Sequence, residues 1–268
     1  MTSPPLRLCR SLLFLPASNP RAIAKARTLE ADMIILDLED AVKAEEKEAA
    51  RVAAVEAVRE GFGARLAAIR VNAAGTIWHE QDVAAVAGSA AHCIVVPKVE
   101  EAAQAQKVAA AGKPLVAMIE TASGVLAAAA VAQASAALLV GTNDLRADLG
   151  IPAAAGREGL ALSLQSIVLA ARAAGGAVFD GVYNRLEDDA GLAAECREGR
   201  AFGFDGKSVI HPNQIVTANR VFSPDEEEVA AAERLIAAAR GGAERFEGRM
   251  IEAMHVAEAE AALAKARR

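Results

Sequence analysis

The sequence predicts a single (β/α)₈ barrel, also called a TIM barrel, with a C-terminal helical extension. Two observations carry this prediction: eight short apolar runs occur along the chain, and segments rich in helix-forming residues separate them. The runs do not alternate with polar residues, which is the pattern of parallel strands covered on both faces. A length of 268 residues is ordinary for one such barrel. An open, doubly wound sheet is the alternative architecture.

The eight apolar runs are the predicted strands. In chain order they are Ser11–Pro16, Met33–Leu38, Ala67–Val71, Cys93–Pro97, Leu115–Ile119, Ala136–Gly141, Ala177–Gly181 and Gly206–Ile210. The segments between them, such as Lys43–Glu60 and Arg157–Ala174, are rich in Ala, Leu, Glu and Arg, which favour helix. Asn19, directly before Pro20, predicts an N-cap for the first helix.

The segment after the eighth run predicts further helices. Ser223–Glu226 has the residues of a capping box, with the glutamate reaching back to the serine amide. A pair of glycines then breaks the chain, and Glu252–Arg267 is a last helical segment. We therefore expect the barrel to span residues 1–222 and the helical extension to span residues 223–268. The extension is expected to pack on the barrel or on a neighbouring subunit.

Composition excludes several classes of protein. Hydrophobic residues make up 53% of the chain, but no run approaches the ~20 apolar residues of a membrane span. A net charge of −6 without a dense basic block disfavours nucleic acid as a partner. Cys9, Cys93 and Cys196 are few and far apart, which predicts buried thiols rather than disulfides or a zinc site. The first apolar run lacks a cleavage site and is too short for a span, so we expect a cytoplasmic protein.

Polar residues gather where the predicted strands end. In a barrel the carboxyl ends of all strands form one face, and that face carries the active site. This clustering therefore predicts an enzyme with its site in the barrel mouth. The segments concerned are Asp37–Asp40, Arg70–Asn72, Pro97–Glu100, Glu120–Thr121, Gly141–Leu145, Asp180–Gly181 and Lys207–Pro212.

Two of these strand-end residues predict a magnesium site. Glu120 and Asp144 follow neighbouring strands, so their carboxylates are expected to meet. Mg²⁺ takes one or two carboxylates and leaves its other positions to water and substrate oxygens. The four histidines show no metal-binding spacing, so an oxygen-ligated magnesium is favoured over zinc. Salt bridges and helix caps are the alternative role for each carboxylate alone.

Arg70 is the candidate for binding a carboxylate or a developing oxyanion, because its guanidinium donates two parallel hydrogen bonds. An ion pair with Asp37 or Glu39 across adjacent strands is its structural alternative, and the two roles are compatible. Lys98 and Lys207 are candidates for a Schiff-base lysine, the other common way for a barrel to make aldol bonds. For Lys98 we expect an ion pair instead, and Lys207 stays ambiguous.

Seven segments of the chain resemble the citrate lyase β-subunit family, within the wider superfamily of HpcH/HpaI aldolases and CoA-ester lyases. They occur in the family's order over nearly the whole chain, so they are specific for the superfamily and much less so for the substrate. The segments are Arg10–Pro16, Asp37–Val42, Arg70–Asn72, Pro97–Glu100, Ile119–Thr121, Gly141–Leu145 and Lys207–Pro212.

The resemblance implies a magnesium-dependent TIM barrel that assembles as a homotrimer or hexamer. In it, Glu120 and Asp144 match the metal ligands. Arg70 matches the arginine that steadies the substrate carboxylate and the thioester oxygen. Asp37 matches an acidic residue near the metal, which acts through water or by orienting the arginine.

Two further positions enter through the resemblance at the start of the chain. Arg21 and Lys25 lie on the helix after the first strand, where relatives contact the phosphates of CoA. Solvent exposure without a ligand is the alternative for both residues.

The C-terminal segment departs from the family pattern. Relatives carry Gly-x-Met-Ile-Asp, and the aspartate can reach a neighbouring subunit's active site as an acid or base. Here the segment Gly248–Glu252 ends in glutamate, which keeps the carboxyl group but adds a methylene. A displacement of about 1 Å in an active site can cost ~10²-fold in rate, so the role of Glu252 is open.

The function implied is reversible carbon–carbon cleavage of a 3-hydroxy-3-carboxyacyl-CoA, such as citryl-, malyl- or citramalyl-CoA. The products are acetyl-CoA, or a homologue, and a 2-oxo acid. A thioesterase acting on malyl-CoA-like substrates is one alternative. Another is a subunit that acts on acyl-carrier-protein thioesters only within a complex. The fourth possible function is that of a pyruvate-type aldolase that does not use CoA.

Overall fold

Parallel strands form the centre of the protein in a computed structural model that describes residues 5–152 and 154–267. The strands are β1 Ser11–Pro16, β2 Met33–Asp37, β3 Leu66–Arg70, β4 Cys93–Val96, β5 Leu115–Ile119, β6 Ala137–Val140, β7 Ala177–Asp180 and β8 Gly206–Val209. Each pairs in parallel with the next, and β8 pairs with β1. The predicted closed barrel is confirmed, and the open sheet is wrong.

Helices follow every barrel strand and cover the outside of the barrel. They are α1 Pro20–Ala26, α2 Lys47–Glu60, α3 His79–Ala87, α4 Ala102–Ala109, α5 Ala122–Ala132, α6 Thr142–Asp148, α7 Ala161–Ala173, α8 Asp189–Phe202 and α9 Asn213–Phe222. Short 3₁₀ turns precede β1, α2 and α7. Asn19 caps α1 as predicted, because its side chain accepts a hydrogen bond from the Ala22 amide.

Most strands end one residue before the predicted apolar runs do. The run at β2 continues to Leu38, whereas the strand ends at Asp37. Leu38 is fully buried, and its amide still donates to the Arg70 carbonyl at 2.9 Å. The apolar run therefore reflects burial of the side chains, and this burial continues past the last residue of the regular strand. A difference of this size is normal for element boundaries.

The core has two layers separated by the barrel wall. Side chains that alternate along the strands, such as Met33, Ile35, Val116 and Phe179, fill the interior. The intervening residues, such as Ile34, face the helices and form the larger outer cluster. Burial of both faces explains why the strand sequences are continuously apolar. Each fully buried side chain of this size contributes about 1.5–3 kcal/mol to folding.

The chain after α9 forms a helical extension with a small hairpin. It contains α10 Glu226–Ala238, β9 Glu244–Phe246, β10 Arg249–Ile251 and α11 Ala253–Ala266. Ala232, Leu235, Ile251 and Ala259 form its own small core. The predicted division at residue 222 stays a prediction, and its outer ends, residues 1–4 and 268, lie outside the described residues.

The predicted capping box at the start of α10 is wrong by two residues. Asp225 is the N-cap, and its side chain accepts from the Glu228 amide while the Glu228 side chain accepts from the Asp225 amide. Ser223 instead ends α9, because its amide donates to the Asn219 carbonyl. Its hydroxyl accepts a hydrogen bond from Arg10 at 3.1 Å, so it is already engaged with the barrel.

The extension touches the barrel on the face opposite the strand ends. Lys265, near the end of α11, donates to the carbonyl oxygen of Asp205, directly before β8. Its Nζ also lies 5.7 Å from the centre of the Phe222 ring. Over the described residues, every helix is too short or too polar to cross a membrane.

Candidate active site

A cavity of about 420 Å³ opens at the carboxyl ends of the barrel strands. Four of the residues predicted for the site line it together: Asp37, Arg70, Glu120 and Asp144. Apolar side chains, including Phe14, Val140, Val182 and Ile210, form the rest of the wall. The barrel thus brings the predicted acidic groups and the arginine to one partly apolar pocket, as strand ends in this fold do.

Glu120 directly follows β5 and is 1% exposed. Its Oε1 accepts a hydrogen bond from the Lys98 amide at 2.7 Å, whereas its Oε2 is buried and has no hydrogen-bond partner among the described residues. Desolvation, followed by the nearby charge of Glu39, raises the pKa of Glu120 to about 7. A buried oxygen without a partner is costly, and a bound cation would satisfy it.

Gly141 makes room for this carboxylate. It follows β6, which is paired with β5 through Val140 and Ile119. A Cβ at position 141 would lie 2.1 Å from Glu120 Oε2 and 2.5 Å from Glu120 Cβ. Glycine is therefore required here for space, since any side chain would occupy the place of the glutamate.

Asp144 lies in the first turn of α6, directly after β6, and is half-buried. Its charge is among those that raise the pKa of Glu120, so the two carboxyl groups interact electrostatically. No group of three or more His, Cys, Asp or Glu side chains within residues 5–152 and 154–267 is arranged to hold a metal ion. Two carboxylates are nevertheless sufficient for Mg²⁺, which keeps several water ligands.

Arg70, at the end of β3, is held by carboxylates on the neighbouring strand and loop. Its Nε and Nη2 donate to Asp37 at 2.6 and 2.7 Å, and its Nη1 lies 3.0 Å from Glu39 Oε2. Its guanidinium also stacks 5.2 Å from the centre of the Phe14 ring. Burial opposes the charged form, but hydrogen bonds and charges from the two carboxylates outweigh it and raise the pKa of Arg70. The predicted ion pair is present.

Lys98 and Lys207, the Schiff-base candidates, are both in ion pairs. Lys98 donates to Glu39 Oε1 at 2.8 Å, which confirms the ion pair expected for this lysine. Lys207 is fully buried and donates to Asp180 Oδ2 at 3.0 Å and Glu195 Oε1 at 2.7 Å. Desolvation opposes its charge, but the two carboxylates outweigh this effect and raise its pKa. Protonated, paired lysines are poor nucleophiles.

Three of the residues predicted for the site lie outside the cavity wall. Arg21 and Lys25 are exposed on α1, next to the end of β1. Glu252 is exposed at the start of α11, and its amide donates to His255 Nδ1 at 3.0 Å. The structure does not bring these three side chains into the cavity of their own chain.

Lys47 is a buried lysine beside the loop after β2, and the sequence does not single it out. Lys47 Nζ donates to the carbonyl oxygens of Leu38 and Glu39, both at 2.8 Å, and to Asn72 Oδ1 at 2.6 Å. It therefore fixes the loop that carries the Arg70 partners. Position 47 lies in a predicted helix of ordinary charged composition, and nothing in the sequence pattern indicates that this lysine is buried.

The fold and the cavity together define a (β/α)₈ barrel with an acidic, arginine-containing site in its mouth. The chain belongs to the HpcH/HpaI aldolase/citrate lyase family, whose sequence profile matches residues 10–212. This membership confirms the family predicted from the sequence, and with it an enzyme of the aldolase and lyase class.

Individual relatives match almost the whole chain. It is 44% identical to a (3S)-malyl-CoA thioesterase of Cereibacter sphaeroides, covering 96% of this chain and 94% of the relative. It is 37% identical to a citrate lyase subunit beta-like protein of Mycobacterium tuberculosis, covering 95% and 94%. The crystal structure of CitE from M. tuberculosis, in complex with magnesium, acetoacetate and coenzyme A, superposes with a TM-score of 0.82 at 36% identity, covering 98% and 100%.

Proposed function

We propose that the protein is a magnesium-dependent lyase that cleaves the carbon–carbon bond of a 3-hydroxy-3-carboxyacyl-CoA. The substrate class comprises citryl-, malyl- and citramalyl-CoA, and the products are acetyl-CoA, or a homologue, and a 2-oxo acid. The observation that carries the proposal is the buried Oε2 of Glu120, which has no hydrogen-bond partner among the described residues and lies in one cavity with Asp144 and Arg70. A related structure holding magnesium, acetoacetate and coenzyme A supports it.

Glu120 and Asp144 would hold the metal. The metal would supply Lewis-acid polarisation of a substrate oxygen next to the breaking bond. Arg70, fixed by Asp37, stabilises the oxyanion that develops on the thioester. A preorganised donor of this kind is worth about 2.7–4 kcal/mol.

Arg21, Lys25 and Glu252 lie outside the cavity of their own chain, and their proposed roles are therefore in a neighbouring subunit or at the edge of the cavity. Glu252 moves the proton in the active site of a neighbouring copy, within a homotrimer or hexamer. Its neighbours Met250 and Met254 are 65% and 59% exposed, which suits contact with another subunit. Arg21 and Lys25 on the exposed face of α1 bind the phosphates of CoA.

Hydrolysis of the thioester is the second candidate reaction. It is favoured by the 44% identity to a (3S)-malyl-CoA thioesterase, which exceeds the 37% identity to the citrate lyase subunit beta-like protein. In this reaction water attacks the thioester carbonyl, and free CoA leaves with the intact hydroxy acid. The same residues would bind the same substrate class, so only the products separate the two reactions.

The test is incubation of the protein and Mg²⁺ with malyl-, methylmalyl- and citramalyl-CoA, followed by mass spectrometry. Lyase activity gives a shorter acyl-CoA and a 2-oxo acid. Thioesterase activity gives free CoA and the intact hydroxy acid, with no shorter acyl-CoA, and both activities stop with EDTA. Glu120→Ala is expected to abolish Mg²⁺ binding and turnover. Glu100→Ala, which removes an exposed carboxylate after β4, is the matched control and should change neither. Full activity without metal binding would refute the proposal. If the protein binds the metal but turns over none of these acyl-CoAs, the substrate is expected to be carried by an acyl-carrier protein.

A further inference from the structure

Lys98 has a backbone conformation that is unusual for its residue type. It lies two residues after β4, and its φ is 51°, in the left-handed region that favours glycine. Within residues 5–152 and 154–267, Glu247 in the β9–β10 hairpin is the only other non-glycine residue with positive φ. Such conformations persist where the surroundings enforce them, and they concentrate at functional sites.

Two successive amides of this loop donate to β5 and to the glutamate that directly follows it. The Lys98 amide donates to Glu120 Oε1 at 2.7 Å, and the Val99 amide donates to the Met118 carbonyl at 3.1 Å. The first bond fixes one oxygen of the glutamate, and the other, Oε2, has no hydrogen-bond partner in the part of the chain that the structure describes. Because φ of Lys98 sets the direction of the chain after its own amide, an extended backbone at position 98 would prevent the Lys98 and Val99 amides from making these two bonds together.

The side chain of Lys98 contacts Glu39, which in turn lies beside Arg70. Its Nζ donates to Glu39 Oε1 at 2.8 Å, and Glu39 Oε2 lies 3.0 Å from Arg70 Nη1. The ammonium also interacts favourably with the charges of Asp40 and Glu120. A single residue thus contacts the candidate metal ligand through its backbone and the partner of the arginine through its side chain.

We propose that Lys98 is a positioning residue for the metal site. Its left-handed backbone lets the Lys98 amide donate to Glu120 Oε1 while the Val99 amide stays bonded to β5, which leaves Oε2 for the cation. Its ammonium contacts Glu39, the partner of Arg70, and is not needed for metal affinity. This inference rests on the proposed function, because it assigns the cation to Glu120. In the plain alternative, Lys98 is an ordinary turn residue with a salt bridge, and its backbone preference is irrelevant to the metal.

The test compares substitutions that differ in tolerance of positive φ. Lys98→Gly and Lys98→Asn adopt the left-handed conformation readily, Lys98→Ala less so, and the β-branched Lys98→Val poorly. The readout is the Kd for Mn²⁺, and for Mg²⁺ by competition, in protein without substrate. Circular dichroism and thermal unfolding report whether each variant folds.

Metal affinity is expected to follow backbone tolerance. Gly and Asn variants should bind within a few-fold of wild type, and the Val variant about 10–100-fold more weakly, the usual effect of losing a group that orients a metal ligand. The Ala variant should lie between them, and it keeps the comparison usable if the Val variant does not fold. Glu247→Val, the matched control at the other left-handed residue, should leave metal affinity unchanged.

Each outcome separates this inference from the proposed function. Wild-type affinity in folded Lys98→Val and Lys98→Ala would overturn the inference. Equal loss in the Gly and Val variants would also overturn it, because the ammonium alone would then be responsible. If the wild type binds no metal, or Glu120→Ala binds it as tightly as the wild type, the proposed function itself is refuted.

Discussion

Arg70 and Asp37 form a two-pronged ion pair, with Nε donating to Oδ1 at 2.6 Å and Nη2 to Oδ2 at 2.7 Å. The amides of Glu39 and Ala41 donate to the same two oxygens of Asp37 at 2.9 and 3.0 Å. The carboxylate therefore has its accepting positions filled within the protein. We infer that Asp37 serves the site by orienting Arg70, because an oxygen so occupied is a poor metal ligand.

Asp37→Asn is expected to lower kcat by on the order of 10²-fold with an unchanged Kd for magnesium. The amide replaces one acceptor with a donor that faces the guanidinium, so Arg70 shifts from its working position, and small displacements in a site have costs of this size. Steady-state kinetics and metal titration measure the two effects. An unchanged kcat would show that Asp37 does not position the arginine.

The matched control for this variant lies at the other end of the barrel. Asp32, directly before β2, holds Arg10 in the same two-pronged way, at 2.8 and 2.9 Å. Asp32→Asn should lower the free energy of unfolding without changing kcat. A similar loss of kcat in both variants would mean that general destabilisation is responsible.

Lys207→Met is expected to lower the free energy of unfolding by about 3–5 kcal/mol, because it removes the buried cation shared by Asp180 and Glu195. Asp180 is fully buried and would keep only its ion pair with Arg157. Urea denaturation measures the change, and Lys43→Met, at an exposed lysine, gives the baseline. The same geometry predicts that borohydride with pyruvate traps no adduct on Lys207. A trapped adduct would establish a Schiff-base mechanism.

The sequence predicts the barrel well because its signal is local and repeated. Each strand is a short apolar run, and chain order alone determines which strand neighbours which in this fold. For the same reason Glu120 and Asp144 are brought together as expected, since β5 and β6 are consecutive and paired. The candidate cavity follows from strand ends and needs no knowledge of side-chain packing.

The supporting contacts could not be predicted because they depend on tertiary structure. Lys47 lies in a helix of ordinary charged composition, and only the folded chain places Asn72 against it. The left-handed backbone of Lys98 has no signal either, because glycine or asparagine would be the usual indication. The start of α10 was misplaced for a similar reason, since the hydroxyl of Ser223 is engaged by a residue more than 200 positions earlier.

Glu252 is expected to act in the site of a neighbouring copy. Glu252→Ala should lower kcat by about 10²–10⁴-fold, the usual range for removing a general acid or base, with little change in metal affinity. Mixing it with inactive Glu120→Ala under conditions that exchange subunits should restore activity, because some sites then contain both carboxylates.

The control for this prediction is another exposed carboxylate on the same helix. Glu258→Ala should keep full activity. If the mixed Glu252→Ala and Glu120→Ala proteins stay inactive although subunits exchange, the role between subunits is wrong. Wild-type kcat in Glu252→Ala alone would remove the residue from the mechanism.

The contact between α11 and the barrel is expected to weaken as the pH falls toward 8. Burial, with help from the charges of Arg200 and Arg10, lowers the pKa of Lys265 to about 8 from an ordinary value of 10.5, although Asp205 opposes the shift. Between these values the unfolded chain binds a proton that the folded chain does not. The contribution of Lys265 to stability is therefore fully present above about pH 10.5 and is lost as the pH falls through 8.

Lys265→Met tests this pH dependence because methionine has no proton to gain. The variant should be more stable than wild type at pH 7, where the partly buried ammonium is costly, and the advantage should shrink toward pH 10. Urea denaturation at several pH values measures the difference, and Lys43→Met again corrects for losing one positive charge. Since Lys265 also donates to the Asp205 carbonyl, some constant loss is expected at every pH. A difference between variant and wild type that does not change from pH 7 to 10 would show that Lys265 keeps its ordinary pKa and that α11 is held by its apolar contacts.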